Sequence, residues 1–172
     1  MELFCIFEEI KDRLYVAAYN SARKGILTVL QERWTDATWL ENFFRENKQD
    51  LRSGYFGSVS IEQAVLQTIE MADKLFLELM ESKGDNLDNL FKPLYGSDYE
   101  IRDFQAQKAG HSWLRIYAVH FYDMYVITGG TIKLTRTMQE RAHTFYELEK
   151  LEKMSVALKL NEMEDKFVYL DI

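Results

Sequence analysis

Two short apolar runs, residues 3–7 and 14–19, flank a charged stretch at 8–13, a pattern that predicts an opening β-hairpin with an exposed connection. After Gly25 the run at 26–30 is too short to reveal its period and fits either a strand or a helical turn. From Asp36 onward Trp39, Leu40, Phe43 and Phe44 recur at helical spacing, which predicts a first helix ending at Gly54. Ser60-Ile61-Glu62-Gln63 has the form of a capping box, and Ile61, Val65, Ile69, Leu75, Phe76, Leu79 and Met80 carry a helical stripe on to Gly84. That second helix must bury its stripe, so the stripe is read as core rather than as a ligand groove.

Pro93 enforces extended backbone ahead of a polar Gly96-Ser97-Asp98 turn. Residues 99–105, 112–121 and 124–134 follow, rich in β-branched and aromatic side chains and separated by polar joints at 107–111 and near Asp123. They predict an antiparallel three-stranded meander. Gly129-Gly130 marks a bulge, or a place where another group approaches the backbone closely. Thr137-Met138-Gln139-Glu140 repeats the capping-box pattern and opens a charged helix through Leu160, with Phe145, Leu148, Leu151 and Met154 as a narrow apolar stripe and its other faces solvated. A final strand is expected at 167–170. With no internal repeat or linker, residues 1–172 read as one α+β domain: a C-terminal meander and an N-terminal hairpin packed with three helices.

Composition narrows the setting. At 172 residues the chain is long enough to bury a proper core, and an aromatic content of 14% builds that core on large rings. Cys5 is the single cysteine, so no internal disulfide forms, and the first residues lack the basic start and apolar run of a secretory signal. A cytoplasmic location is expected. Charges interrupt every apolar stretch before the roughly 18 residues needed to cross a bilayer, so no membrane partner is expected. The formal net charge of −7 argues against adhesion to nucleic acid through the whole surface, but leaves room for a local basic face.

Phosphate-binding glycine loops, paired-cysteine zinc sites, nucleophile elbows and histidine pairs at ligand spacing are all missing from the sequence. His111, His120 and His143 are scattered over a joint, a strand end and a helix and read as surface or rim residues; neither a metal nor a cofactor is expected. Alternation along 113–118 sends Leu114, Ile116 and Ala118 to one face of the sheet and Trp113, Arg115 and Tyr117 to the other. The second set joins a cation to two rings, a combination that pairs with phosphate and stacks on unpaired bases. Arg102 and Lys133, on the neighbouring predicted strands, can join it. The same positions also suit ordinary, partly exposed sheet residues whose arginines pair with acids such as Glu100.

The segment 90–94, Glu100-Ile101-Arg102, Leu114-Arg115-Ile116-Tyr117 and Gly130-Thr131-Ile132-Lys133-Leu134-Thr135 before a capped helix together resemble the RelE/ParE toxin superfamily, in particular its phage- and HigB-related branch. The resemblance covers about residues 58–150, with the hairpin and first helix as an N-terminal extension. It implies a diverged member of a type II toxin–antitoxin system: a ribosome-dependent mRNA endoribonuclease silenced by a cognate antitoxin. In metal-free RNA cleavage the 2′-hydroxyl attacks its own phosphate, so the site must stabilise growing negative charge and move protons without an ion. By motif position the catalytic residues implied are Arg102, Arg115 and Lys133, with Trp113, Tyr117 and Arg136 binding the RNA. The acidic balance fits a second function better. In that one the toxin-like fold is catalytically inactive and serves as a protein-interaction module, through its Trp113/Tyr117 face or a sheet edge.

Overall fold

A computed structural model describes residues 2–20, 22–52, 55–82, 86–93, 112–137, 139–158 and 166–170. The predicted hairpin is present: β1 (Leu3–Ile10) runs three residues further than expected and pairs antiparallel with β2 (Leu14–Tyr19). Asp12 takes a left-handed conformation at φ 58° in the connection, and its amide donates to the Glu8 carboxylate at 2.9 Å. The run after Gly25 is helical: α1 (Ile26–Trp34) buries Leu27, Leu30 and Trp34 along one stripe.

The helix expected from Asp36 to Gly54 is two helices, α2 (Ala37–Glu46) and α3 (Lys48–Arg52). Asp36 caps the first by accepting from the amides of Thr38 and Trp39. At Asn47 the backbone leaves the helix, and its side-chain amide donates to the Phe43 carbonyl at 2.9 Å, satisfying a terminal acceptor. Both halves of the capping box at Ser60 and Gln63 form, and α4 (Ile61–Glu81) follows. Its buried centre is Ala64, Thr68, Ala72, Leu75, Phe76 and Leu79, while Met80 is exposed, one position outside the stripe assigned to it. Then come α5 (Leu87–Leu90), β3 (Phe91–Pro93), β4 (Leu114–Phe121), β5 (Met124–Ile132), α6 (Ala142–Ala157) and β6 (Lys166–Leu170).

These strands form one sheet in the order β1-β2-β5-β4-β6-β3. Neighbours are antiparallel except β2 and β5, which run parallel and tie the opening hairpin to the late strands. The expectation of a purely antiparallel sheet is corrected accordingly. β4 and β5 pair as expected, whereas the predicted strand at 99–105 lies outside the described residues and the second neighbour of β4 is β6. Between Tyr117↔Gly129 and Ala118↔Ile127 the register shifts, so Thr128 is the extra residue of a bulge beside the expected glycine pair.

Helices cover both faces of the sheet. Val16, Ile116, Ala118 and Ile127 point into a core shared with Leu30 and Trp34 of α1, Leu40 and Phe44 of α2, and Leu75 and Leu79 of α4. Ala17, Tyr117, Val119 and Val126, the alternate positions, pack against Leu148, Leu151 and Met154 of α6. A strand buried on both faces carries side chains without a wet side, and this is why β4 is buried over its first six residues. The last helix begins at Ala142 rather than at its expected box. Glu140 accepts from the Thr137 amide at 2.7 Å and its hydroxyl at 3.0 Å, but this closes a turn ahead of the helix. Phe145, expected in the stripe of α6, is exposed.

Candidate functional site

The pairing of β4 with β5 brings two of the three implied catalytic cations to one end of the sheet. Arg115 lies opposite Thr131, and Lys133, just past β5, donates its amide to the Trp113 carbonyl at 2.7 Å. Arg102 lies outside the described residues. Both described cations are drawn inward: Arg115 is 9% exposed and Lys133 3%. Arg115 Nη1 donates to the carbonyls of Ser112 at 2.7 Å and Leu114 at 2.8 Å. Lys133 Nζ donates to the Thr135 carbonyl at 2.6 Å and to that of Arg136. A charge-assisted bond to a carbonyl is a strong one, so each cation pins the backbone at its end of the strands.

The aromatic pair does not form an exposed platform. Trp113, one residue ahead of β4, turns to the α4 side, where its indole N–H donates to Thr68 Oγ1 at 2.9 Å and its ring meets Phe44 and Phe56 edge-on. Tyr117 is fully buried on the α6 side. The expectation that Trp113, Arg115 and Tyr117 line one open face is corrected: α6 closes the face that alternation left free. Of the implied RNA-binding residues, Arg136 alone is exposed.

Around Lys133 the start of α6 gathers further charge. Arg141 grips the buried Asp50 of α3 with two bonds, Nε to Oδ2 at 2.8 Å and Nη2 to Oδ1, and these hold its guanidinium pKa above the usual value. The Thr137 amide holds the Glu140 carboxyl below its usual range, with help from the Thr137 hydroxyl, Lys133 and Arg141. His143 Nε2 donates to the Ile132 carbonyl at 3.1 Å, its ring stands edge-on to Phe43, and burial lowers its pKa. Lys48, Leu51 and Arg52 of α3 line a cleft of about 240 Å³ together with Val59, Ser60, Ile61 and Glu62 at the start of α4. Among the described residues no three His, Cys, Asp or Glu side chains converge as a metal site requires, and no helix is long and apolar enough to cross a membrane. His120 stacks on Tyr125, and His111 lies outside the described residues.

One polar cluster was not expected from the sequence. Glu147 and Lys150, read as part of a solvated helix face, are 4% and 6% exposed and form an ion pair of 2.6 Å under α6. Gly129 of β5 makes room for them: a Cβ there would lie 1.9 Å from Glu147 Oε2 and 2.9 Å from Lys150 Nζ. The available signal was the expected close approach at Gly129-Gly130, set beside a Glu-x-x-Lys pair at helical spacing. The rings of Tyr19 and Tyr146 lie 5.9 and 5.3 Å from the Lys150 ammonium, and the Tyr19 hydroxyl donates to the Thr128 carbonyl at 2.7 Å.

Comparison of the chain with protein-family models, with curated proteins and with solved structures found no match.

Among the described residues β1 is the terminal strand at one margin of the sheet. Phe4 and Phe7 are 57% and 37% exposed along it, Glu2, Glu8 and Glu9 are exposed beside them, and register shifts bracket its middle. An edge of this kind offers backbone donors and acceptors to an added strand, with side-chain contacts that select which strand is accepted.

Proposed function

We propose that this chain is a protein-interaction module on a toxin-like fold, whose edge strand β1 takes up an extended segment of a partner protein. The observation that carries this reading is the terminal position of β1 with Phe4 and Phe7 exposed among acids. Added backbone bonds supply affinity, and the flanking Glu2, Glu8 and Glu9 select a segment in which apolar residues alternate with Lys or Arg. The RelE/ParE resemblance makes a cognate antitoxin the natural partner. The interior placement of Arg115, Lys133, Trp113 and Tyr117 supports binding over cleavage, because groups held on backbone carbonyls have little freedom to follow a reacting phosphate.

Co-expression with the product of the adjacent reading frame tests this. A one-to-one complex that survives purification and is lost on the double substitution Phe4→Ser/Phe7→Ser, with cellular mRNA intact, is the expected result. The endoribonuclease reading keeps one observation in its favour, the placement of Arg115 on β4 and Lys133, just past β5, at the same end of the sheet. Growth arrest with mRNA fragmentation, abolished by alanine at Arg102, Arg115 and Lys133, would restore it and overturn the binding reading.

A further inference from the structure

Asp50 stands midway along α3 but turns inward, where Arg141 holds it. It is therefore not spent on Lys48 and Arg52, which are exposed one helical turn apart on α3 and line the cleft of about 240 Å³. Among the described residues neither of these cations makes an ion pair or a side-chain hydrogen bond. From the start of α4 the cleft receives one acid, Glu62, which is exposed. Hydrogen bonds from its own amide and the Ser60 hydroxyl hold the Glu62 carboxyl below its usual range. Apart from Ser60, the remaining lining is apolar: Leu51, which is buried, and Val59 and Ile61, which are half-buried.

A simple anion would pair with Lys48 and Arg52 but would also meet the Glu62 carboxylate, and like charge disfavours it. Nucleotides and other drug-sized ligands are too large, since they fill pockets of about 300–1,000 Å³. We infer that the cleft binds a free α-amino acid with an apolar side chain: its carboxylate on Lys48 and Arg52, its ammonium on Glu62, and its side chain against Leu51, Val59 and Ile61. Such a ligand turns the lone acid from an obstacle into a partner. Each charge pair is exposed and contributes little alone, so binding is weak, with half-saturation on the order of 1 mM. Nothing in this site involves β1, so it stands or falls apart from the binding reading.

Titration of the nitrogen-15-labelled full chain with L-leucine, followed by amide chemical shifts, tests it. Saturable shifts over residues 48–52 and 59–62 are expected. Leucinamide, which lacks the carboxylate, and isocaproate, which lacks the ammonium, should both bind more weakly. The double substitution Lys48→Gln/Arg52→Gln is expected to weaken L-leucine about tenfold, and Glu62→Gln about threefold. All three side chains are exposed, so the variants keep the fold, and their own spectra verify it. The absence of saturable shifts up to about 20 mM L-leucine overturns the site. Isocaproate binding as well as L-leucine would reduce the cleft to a carboxylate site and overturn the amino-acid assignment. Shifts unchanged in Lys48→Gln/Arg52→Gln overturn the placement of the carboxylate.

Discussion

Under α1, α2 and α4 the sheet meets an apolar layer of Leu30, Trp34, Leu40, Phe44, Leu75 and Leu79, whereas under α6 it meets Leu148, Leu151 and Met154 interleaved with Thr144, Glu147 and Lys150. The first face gains stability from area removed from water and from close packing, which any well-shaped apolar set can provide. On the second, part of that gain is offset by desolvating an ion pair, and in return the helix seats in a single way, with Glu147 over the one glycine that admits it. Two faces of one sheet therefore divide the work: one supplies bulk stability and the other places a buried charge pair over Gly129.

The comparison breaks most sharply at Trp34, which is fully buried and packs its ring 5.9 Å from Phe76. Trp34→Ala is expected to cost about 3–5 kcal/mol in urea unfolding, with little dependence on pH. On the α6 face Lys150→Met should cost about 3 kcal/mol at pH 8, where it strands a buried carboxylate, and clearly less at pH 5, where Glu147 takes up a proton. A pH-independent loss would mean that packing, not charge, governs this face. Gly129→Ala drives a methyl into the Glu147 carboxylate and should cost about 1–3 kcal/mol. Combined with Glu147→Ala it should cost less than the sum of the two singles, since the two substitutions relieve one clash. The smallest expected effect contrasts two similar sequence patterns: Ser60→Ala removes a working helix cap and should cost about 1 kcal/mol, and Thr137→Ala, in a turn ahead of its helix, should cost less. Equal losses would show that the turn at Thr137 anchors α6 as firmly as the cap anchors α4.

What was legible in the sequence was local. The hairpin of β1 and β2, the cap and length of α4, the pairing of β4 with β5 and the strand at the end of the chain each follow from short-range pattern and turn chemistry. Partner choice at a distance was not legible: no periodicity announces that Leu14 pairs with Tyr125 in parallel. Charge also misled the reading of burial. Arg115, Lys133, Glu147 and Lys150 stand at positions that alternation or a helical wheel assigns to a wet face, and in the interior backbone carbonyls or each other take up part of their hydrogen bonding. In the same way Trp113 slipped off the face assigned to it, since strand alternation does not reach the residue before the strand.

The parallel seam between β2 and β5 also bears on the order in which the molecule can assemble. Translated ahead of the strands that complete the sheet, β1 and β2 form a two-stranded ribbon, a unit that is marginal in water until further strands join it. Its permanent neighbour is translated only after α1 to α5 have been made, so the ribbon waits, and Ala17 still lacks the α6 layer that will cover it. Closing so long a loop makes the seam a late and slow event in folding, and a nascent chain stopped before Tyr125 would carry that ribbon uncompleted.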